Sequence, residues 1–318
     1  MQTVSAGLIT QRGVKTRRFF RTAIKQRYLY LMSLPFIAWI FVFSYLPIWG
    51  WTTAFMKYKP SRSFWEQEWV GLQYFKELLA DERFYMVMRN TLAMSIMGLV
   101  IGFTVPIIFA VFLNELKGKM FKKSLQTISY LPHFVSWVVV AGLVYKMLST
   151  DNGAVNDLLM WLRIIDEPVQ FMAKETWFWG IVTLSDLWKE MGWNSIIFLA
   201  AIAGIDQELY DASRVDGASR FRQIWHITLP GIRSVIIVLL ILSIGHLIQI
   251  GFEKQFLLGN PLVVNYSEVL DLYALNYGLS LNRFSFGTAV GIFNSLVSII
   301  LLVTANALFK RYSKESVY

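Results

Sequence analysis

The chain of 318 residues contains no cysteine and only three histidines. The first absence excludes disulfides and thiolate metal centres and leaves the compartment open. His133, His226 and His246 fall on separate segments with no His-Glu-x-x-His or other paired-ligand spacing, so no metal-ligating set is expected. No Gly-x-x-x-x-Gly-Lys-Ser/Thr run occurs, so the chain has no P-loop with which to bind ATP. Charge is scarce, with Asp, Glu, Lys and Arg together at 16%. Low-complexity stretches, internal repeats and linkers are missing too, which points to one membrane domain. Met1 to Thr10 is neither basic nor followed by a short apolar core and a small-residue cleavage site, so no cleaved signal peptide is expected.

What is present is apolar. Hydrophobic residues make up 55% of the chain and the mean hydropathy is +0.48, beyond the range of an ordinary soluble domain. About 20 mostly apolar residues cross a bilayer as a helix. Runs of that kind lie at Tyr28 to Trp51, Thr91 to Leu113, Ser124 to Leu148, Trp177 to Ile205, Ile232 to Phe252 and Phe284 to Phe309. The expected fold class is therefore an all-α integral membrane protein of six transmembrane helices. Pro35, Pro47, Pro106 and Pro132 fall in these runs, where neighbouring helices can satisfy the freed carbonyls. Gly98, Gly102, Ala141, Gly142, Gly287, Gly291 and Ser295 would permit close helix contacts.

The net charge of +9 is distributed as membrane topology demands. Arg12, Lys15, Arg17, Arg18, Arg21, Lys25 and Arg27 precede the first span without an acid, and Lys117, Lys119, Lys122 and Lys123 follow the second. Both segments should be cytoplasmic, and six crossings then put both termini there. Asp151, Asp157, Asp166, Glu167 and Glu175 gather on the opposite side. Nucleic-acid binding thereby loses its main support. Phe19, Phe20, Ile24 and Tyr28 among the N-terminal basic residues suit an amphipathic helix on anionic membrane lipid. The expected organisation is a cytoplasmic arm over 1–27, a bundle over 28–309 containing a polar loop at 206–231, and a cytoplasmic tail over 310–318. Trp65 to Arg83 and Pro261 to Asn282 should be partly ordered connections.

The polar loop reads as a mechanical device. Glu208 to Val215 can form a short amphipathic helix, with Leu209, Ala212 and Val215 on one side and Glu208, Asp211 and Arg214 on another. Gly217 supplies a bend that a side chain would obstruct. A second short helix carries Phe221, Ile224 and Trp225, and Pro230 stops it before the fifth span. Two short helices joined at a glycine and tied to rigid spans at both ends make a lever.

These residues resemble the "EAA" loop of bacterial ABC importer permeases, with the pattern on Asp211, Ala212, Ser213, Asp216, Gly217, Ala218, Phe221, Ile224, Ile227, Leu229 and Pro230. Asp211 and Ser213 depart from the commoner Glu and Ala but keep the acid-small-small character. Ser129-Tyr-Leu-Pro-His-Phe-Val-Ser-Trp137, Asn152-Gly-Ala-Val-Asn156, Gly192-Trp-Asn194 and Ser267-Glu-Val-Leu-Asp271 are similar to the polysaccharide-type carbohydrate permeases, the LplB-like group of the MalF/MalG-like superfamily. The resemblance implies the fold of a type I importer permease in a bacterial cytoplasmic membrane. It implies a second homologous permease, two ATPase subunits that hold ATP and Mg, an extracytoplasmic solute-binding protein and a carbohydrate substrate, moved by alternating access. In that family the loop docks on the ATPase. By position Asp211, Ala212, Ser213 and Gly217 would dock, supported by Asp216 and Phe221, with Glu208, Leu229 and Pro230 completing the coupling segment. No cofactor is expected in this chain.

Asp186, Lys189 and Glu190 lie inside the fourth span, where each charge costs roughly 2.5–3.5 kcal/mol at mid-bilayer on insertion scales. Their spacing allows Lys189 to pair with Asp186, with Glu190 on the same side. Two readings stay open: a structural ion-paired cluster, or a polar lining of a substrate route to which Trp188, Trp193 and Asn194 add stacking faces and hydrogen bonds. Tyr and Trp faces suit the C–H side of a sugar. Gln249, Glu253 and Asn294 are further candidates for that route. A membrane-embedded glycan-processing enzyme would recast Asp186 and Glu190 as catalytic acids. Two carboxylates one helical turn apart suit a structural cluster better than a pair flanking a bond, and no catalytic set is expected. An ion channel or a carrier not coupled to ATP would leave the lever without a purpose.

Overall fold

The computed structural model describes residues 25–313. Most of the expected arm, including Phe19, Phe20 and Ile24, lies outside these residues, as does Lys314 of the tail. The first expected span falls within a helical stretch over Arg27–Phe55, made of α1 (Arg27–Ile40), a π-turn (Phe41–Tyr45) and a 3-10 segment (Leu46–Phe55). Pro35 sits inside α1 and Pro47 opens the 3-10 segment, where its missing N–H has no partner to lose. Nothing in α1 or the π-turn is buried. The 3-10 segment packs on the last helix, where Thr53 Oγ1 lies 3.1 Å from Thr288 Oγ1.

A small antiparallel ladder follows, β1 (Met56–Lys57) on β2 (Glu68–Trp69). The turn between them is held by the buried Gln67, whose Oε1 accepts from Lys59 N at 2.8 Å and whose Nε2 donates to Arg62 O at 2.9 Å. After α2 (Gln73–Ala80), Asp81 caps α3 by accepting from Arg83 N at 2.9 Å. The helix α3 (Glu82–Glu115) has 34 residues, roughly 50 Å at 1.5 Å per residue and longer than the hydrocarbon core. Pro106 is buried inside it without ending it.

The third expected span, Ser124 to Leu148, is not one straight helix. The helices α4 (Lys119–Tyr130) and α5 (Trp137–Met147) meet at 102° across a 3-10 turn, Leu131–Phe134. Pro132 cannot donate in that turn, and Val135 and Ser136 are extended, with Ser136 capping α5. Beyond α6 (Ala154–Trp161) runs α7 (Phe178–Ala203), 26 residues with the three charges near its middle.

The fifth span is also shorter than expected. The helix α11 (Arg233–Gly245) starts 59° off the segment Arg220–Gly231 and ends at Gly245 rather than Phe252. Gly245 abuts Leu302, whose Cδ1 would lie 2.7 Å from an added Cβ, and Gly251 turns the chain at φ +74° while donating its N–H to Asp271 Oδ2 at 2.7 Å. The short helices α12 (Glu253–Leu258), α13 (Val264–Ser267) and α14 (Leu270–Leu275) order the last connection before α15 (Phe284–Ser313). Among the described residues, Arg27–Phe55, Glu82–Glu115 and Phe284–Arg311 are long and apolar enough to cross a bilayer, and the two bent pairs bring the number to five. The charged helix α7 stands apart from that set.

The most extensive helix pairing joins α3 to α7. Ala110, Phe198, Ile202 and Ile232 close one end of it, and Met94, Phe178, Val182 and Leu258 pack at the other. The α3 start also staples the last connection: Asn90 Nδ2 donates to the carbonyls of Asn265 and Glu268, Thr91 Oγ1 accepts from Leu270 N at 2.9 Å, and Arg83 pairs with the buried Glu268 at 2.6 Å. Of the small residues expected at helix contacts, Gly287 does abut Gly278, whereas a Cβ at Gly98, Gly102, Gly142 or Gly291 would meet nothing within 4 Å. A tight approach occurs instead at Gly192, where an added Cβ would lie 2.1 Å from the Ser129 carbonyl oxygen.

Candidate functional site

A cavity of about 640 Å³ opens between α3, α7, α11 and α12. The bare backbone of Gly98 and Gly102 forms part of one wall. From α7 come Asp186, Glu190, Trp193 and Asn194, and across from them lie His246, Gln249 and Lys254. Five residues expected on a substrate route thus line one space: Asp186, Glu190, Trp193, Asn194 and Gln249. Lys189, Glu253 and Asn294 do not line it.

The charge pairing differs from the expected one. Asp186 does not pair with Lys189; its Oδ2 lies 3.0 Å from Lys254 Nζ, at the start of α12. Lys189, only 6% exposed, donates to the carbonyl of His133 at 2.6 Å and to Glu190 Oε1 at 2.9 Å. Glu190 Oε2 is 2.7 Å from His133 Nδ1, and the His133 ring stacks on Trp193 with centroids 4.3 Å apart and planes 1° apart. A helix rotates its side chains by 100° per residue, so Lys189 points into the α4–α5 break while Asp186 faces the cavity. The cluster ties α7 to the broken third span and still exposes one side of Glu190 to the cavity. Both acids are occupied by cations, which suits a braced wall better than a pair of free catalytic carboxyls.

Asn294 belongs to another network, donating from Nδ2 to Asp271 Oδ1 at 2.8 Å. Burial lifts the Asp271 carboxyl above the usual carboxylate range, against the opposing hydrogen bonds from Gly251 and Asn294. Gln255 is the residue that sequence reasoning passed over. It borders the cavity, is 0% exposed, and neither its Nε2 nor its Oε1 has a hydrogen-bond partner among the described residues. Each such orphan costs about 1–3 kcal/mol.

The polar loop begins three residues beyond α7. Its first helix, α8 (Gln207–Val215), is capped by Asp206, which accepts from Glu208 N at 3.0 Å, and Asp211 pairs with Arg214 at 2.7 Å. Gly217 takes φ +73°, a conformation that a β-carbon disfavours. Then follow α9 (Arg220–Gln223), a π-turn (Ile224–Thr228) and α10 (Leu229–Gly231). The helix does not stop at Pro230, which occupies the first turn of α10; the break comes at Ile232. The expected apolar side of α8 is not covered: Leu209 is 54% and Val215 88% exposed. Its inward side is polar, with Tyr210 Oη 2.9 Å from Thr228 Oγ1 and Ser213 Oγ accepting from Gln223 Nε2 at 2.8 Å. The serine that replaces the commoner alanine is thus a brace between the two halves of the loop. Glu208, Asp211, Ala212, Asp216, Gly217, Phe221 and Pro230 are exposed, and Leu229 is half-buried.

Residues 98–314 match the family described as binding-protein-dependent transport system inner membrane component. Over 304 residues the chain is 43% identical to the polygalacturonan/rhamnogalacturonan transport system permease protein YteP of Bacillus subtilis (strain 168), covering 96% of this chain and 94% of that protein. It is 41% identical over 294 residues to protein LplB of the same strain, covering 92% of each. Among solved structures it resembles a chain of a bacterial alginate ABC transporter in complex with alginate pentasaccharide-bound periplasmic protein, with a TM-score of 0.86, 39% identity, and coverage of 94% of this chain and all of that one. The first of these relatives and others of lower identity are named as transport system permeases, which sets the enzyme alternative aside. The mostly helical fold matches that of ABC transporter permeases, its relatives are sugar ABC permeases, and the chain belongs to the binding-protein-dependent transport system inner membrane component family.

Proposed function

We propose that the chain is one half of a translocation pathway that passes acidic oligosaccharides, of the galacturonan or alginate kind named for its relatives, across the membrane by alternating access. The observation that carries this reading is the helix α7. It bears Glu190 and Asn194 on the cavity and leads directly into the exposed helix α8. From Glu190 to Ala203 is roughly 20 Å of unbroken helix at 1.5 Å per residue. A rotation of α8 by a docked partner is therefore felt at the cavity wall. In this reading Glu208, Asp211, Ala212, Ser213, Asp216, Gly217 and Phe221 form the surface for an ATPase subunit, which holds ATP and Mg. Leu229 and Pro230 transmit its movement into α11, a second permease closes the open side of the cavity, and a solute-binding protein delivers the sugar from outside.

Co-expression with the partner ATPase and permease subunits tests the docking surface. Gly217→Pro and Asp211→Lys are expected to abolish saccharide-stimulated ATPase activity or ATPase co-purification, with the bundle still folded by circular dichroism. Unchanged association and coupling in both variants would sink the assignment.

A further inference from the structure

We infer that Gln255 is the residue of this chain that reads the saccharide, its carboxamide pairing with two neighbouring ring hydroxyls when the cavity is loaded. The inference rests on the transport reading above and adds to it a residue and a ligand chemistry. A carboxamide offers one acceptor and two donors within a planar fork, and here both ends are unpartnered although the side chain is 0% exposed and borders the cavity. Native proteins rarely leave both ends of a buried amide unmatched without a functional reason. A vicinal diol matches the fork, with one hydroxyl donating to Oε1 and the other accepting from Nε2.

The local architecture lets Gln255 be presented. It sits on α12, six residues long, between Gly251 at φ +74° and Gly259. Its neighbour Lys254 is held on Asp186 of the facing wall at 3.0 Å, and lies 5.8 Å from the Trp137 ring centroid. Asp186, Lys254 and Gln255 all line the same cavity. When the loaded cavity draws Lys254 off Asp186, a side-chain rotation of Gln255 brings its amide to the cavity surface. A site built to hydrogen-bond a hydroxyl rejects an analogue that lacks one, because its own buried groups then stay unpaired.

The test uses the assembled transporter with its binding protein, ATPases and second permease in proteoliposomes. The probes are a galacturonate trisaccharide, an alginate trisaccharide, and their 2,3-di-O-methylated forms, each scored by the half-saturating concentration for import. The wild type is expected to discriminate against methylation by about tenfold or more, and Gln255→Leu to bring that ratio close to one. Gln255→Met, closer in shape, should do the same, and both variants should melt no lower than the wild type, because removing orphaned amide atoms relieves a cost. Retained discrimination in both variants overturns the assignment while leaving the transport reading intact. Loss of thermal stability or of assembly with the second permease overturns it too, since Gln255 would then be a structural or interface residue. If neither unmethylated trisaccharide is imported by the wild type, the acidic-saccharide reading itself fails and takes this inference with it.

Discussion

The two ends of the α7 unit handle charge in opposite ways. In the cavity, polar side chains are paired across long distances in sequence: Asp186 with Lys254, Glu190 with His133, and Lys189 with the His133 carbonyl. In the loop, pairing is mostly local, as in Asp211 with Arg214, Asp206 with the Glu208 N–H, and Ser213 with Gln223. One long-range tie, Arg220 to Glu115, anchors the loop to the end of α3. Long-range pairs in a low-dielectric interior fix elements against one another, and losing one partner strands the other. Local pairs on an exposed helix hold its shape and leave its outer face unspent. The cavity end is a braced frame; the loop end is a preformed exposed surface, the one proposed above to meet the ATPase.

That contrast can be broken first at Gly192. Replacing it by leucine drives a side chain into the Ser129 carbonyl, and is expected to cost about 3 kcal/mol or more through overpacking. Expression and melting temperature of the detergent-purified protein should both fall, and a variant as stable as the wild type would refute the α4–α7 contact. A smaller effect is expected at Lys189. Lys189→Ala leaves Glu190 with His133 alone and removes one of the two ties between α7 and the third span. Substrate-stimulated transport should drop about tenfold or more and the melting temperature should fall, whereas Glu190→Ala leaves the buried Lys189 with the His133 carbonyl alone and should destabilise by about 1–3 kcal/mol. Transport at wild-type level in both variants would remove the cluster from the mechanism. The smallest stability effect belongs to the loop. Asp211→Asn breaks only an exposed ion pair and should change stability by less than about 1 kcal/mol, while ATPase co-purification falls. Equal losses of stability at Asp211 and Lys189 would erase the distinction between frame and surface.

Helix α7, the bend at Gly217 and the two helices around it were legible from residue type and spacing, because each rests on local rules of periodicity and glycine geometry. The break in the third span was signalled by Pro132, yet a proline in an apolar run reads equally as a tolerated kink. The early end of the fifth helix depends on Leu302 packing against Gly245 and on Asp271 reaching Gly251, contacts that no window of sequence contains. Spacing suggested Asp186 with Lys189 because both lie on one helix, and the true partner, Lys254, comes from 68 positions away. Lys254 stands beside a break in an apolar run, but Glu253 directly before it masks the need for a distant anion. Gln255 gave no signal beyond its polar neighbours, since an orphaned amide is visible only once the surrounding atoms are placed.

The base of the loop has a further consequence. Gly231 lies so close to Ile205 that an added Cβ would be 2.7 Å from Ile205 Cδ1, so the residue where the loop leaves the bundle touches the residue where it returns. A segment whose entry and exit share one point is transplantable: residues 206–230 could be exchanged for those of another permease without lengthening or shortening any span. On the docking proposed above, the choice of ATPase would then lie in a cassette of about 25 residues, exchangeable independently of the sugar route.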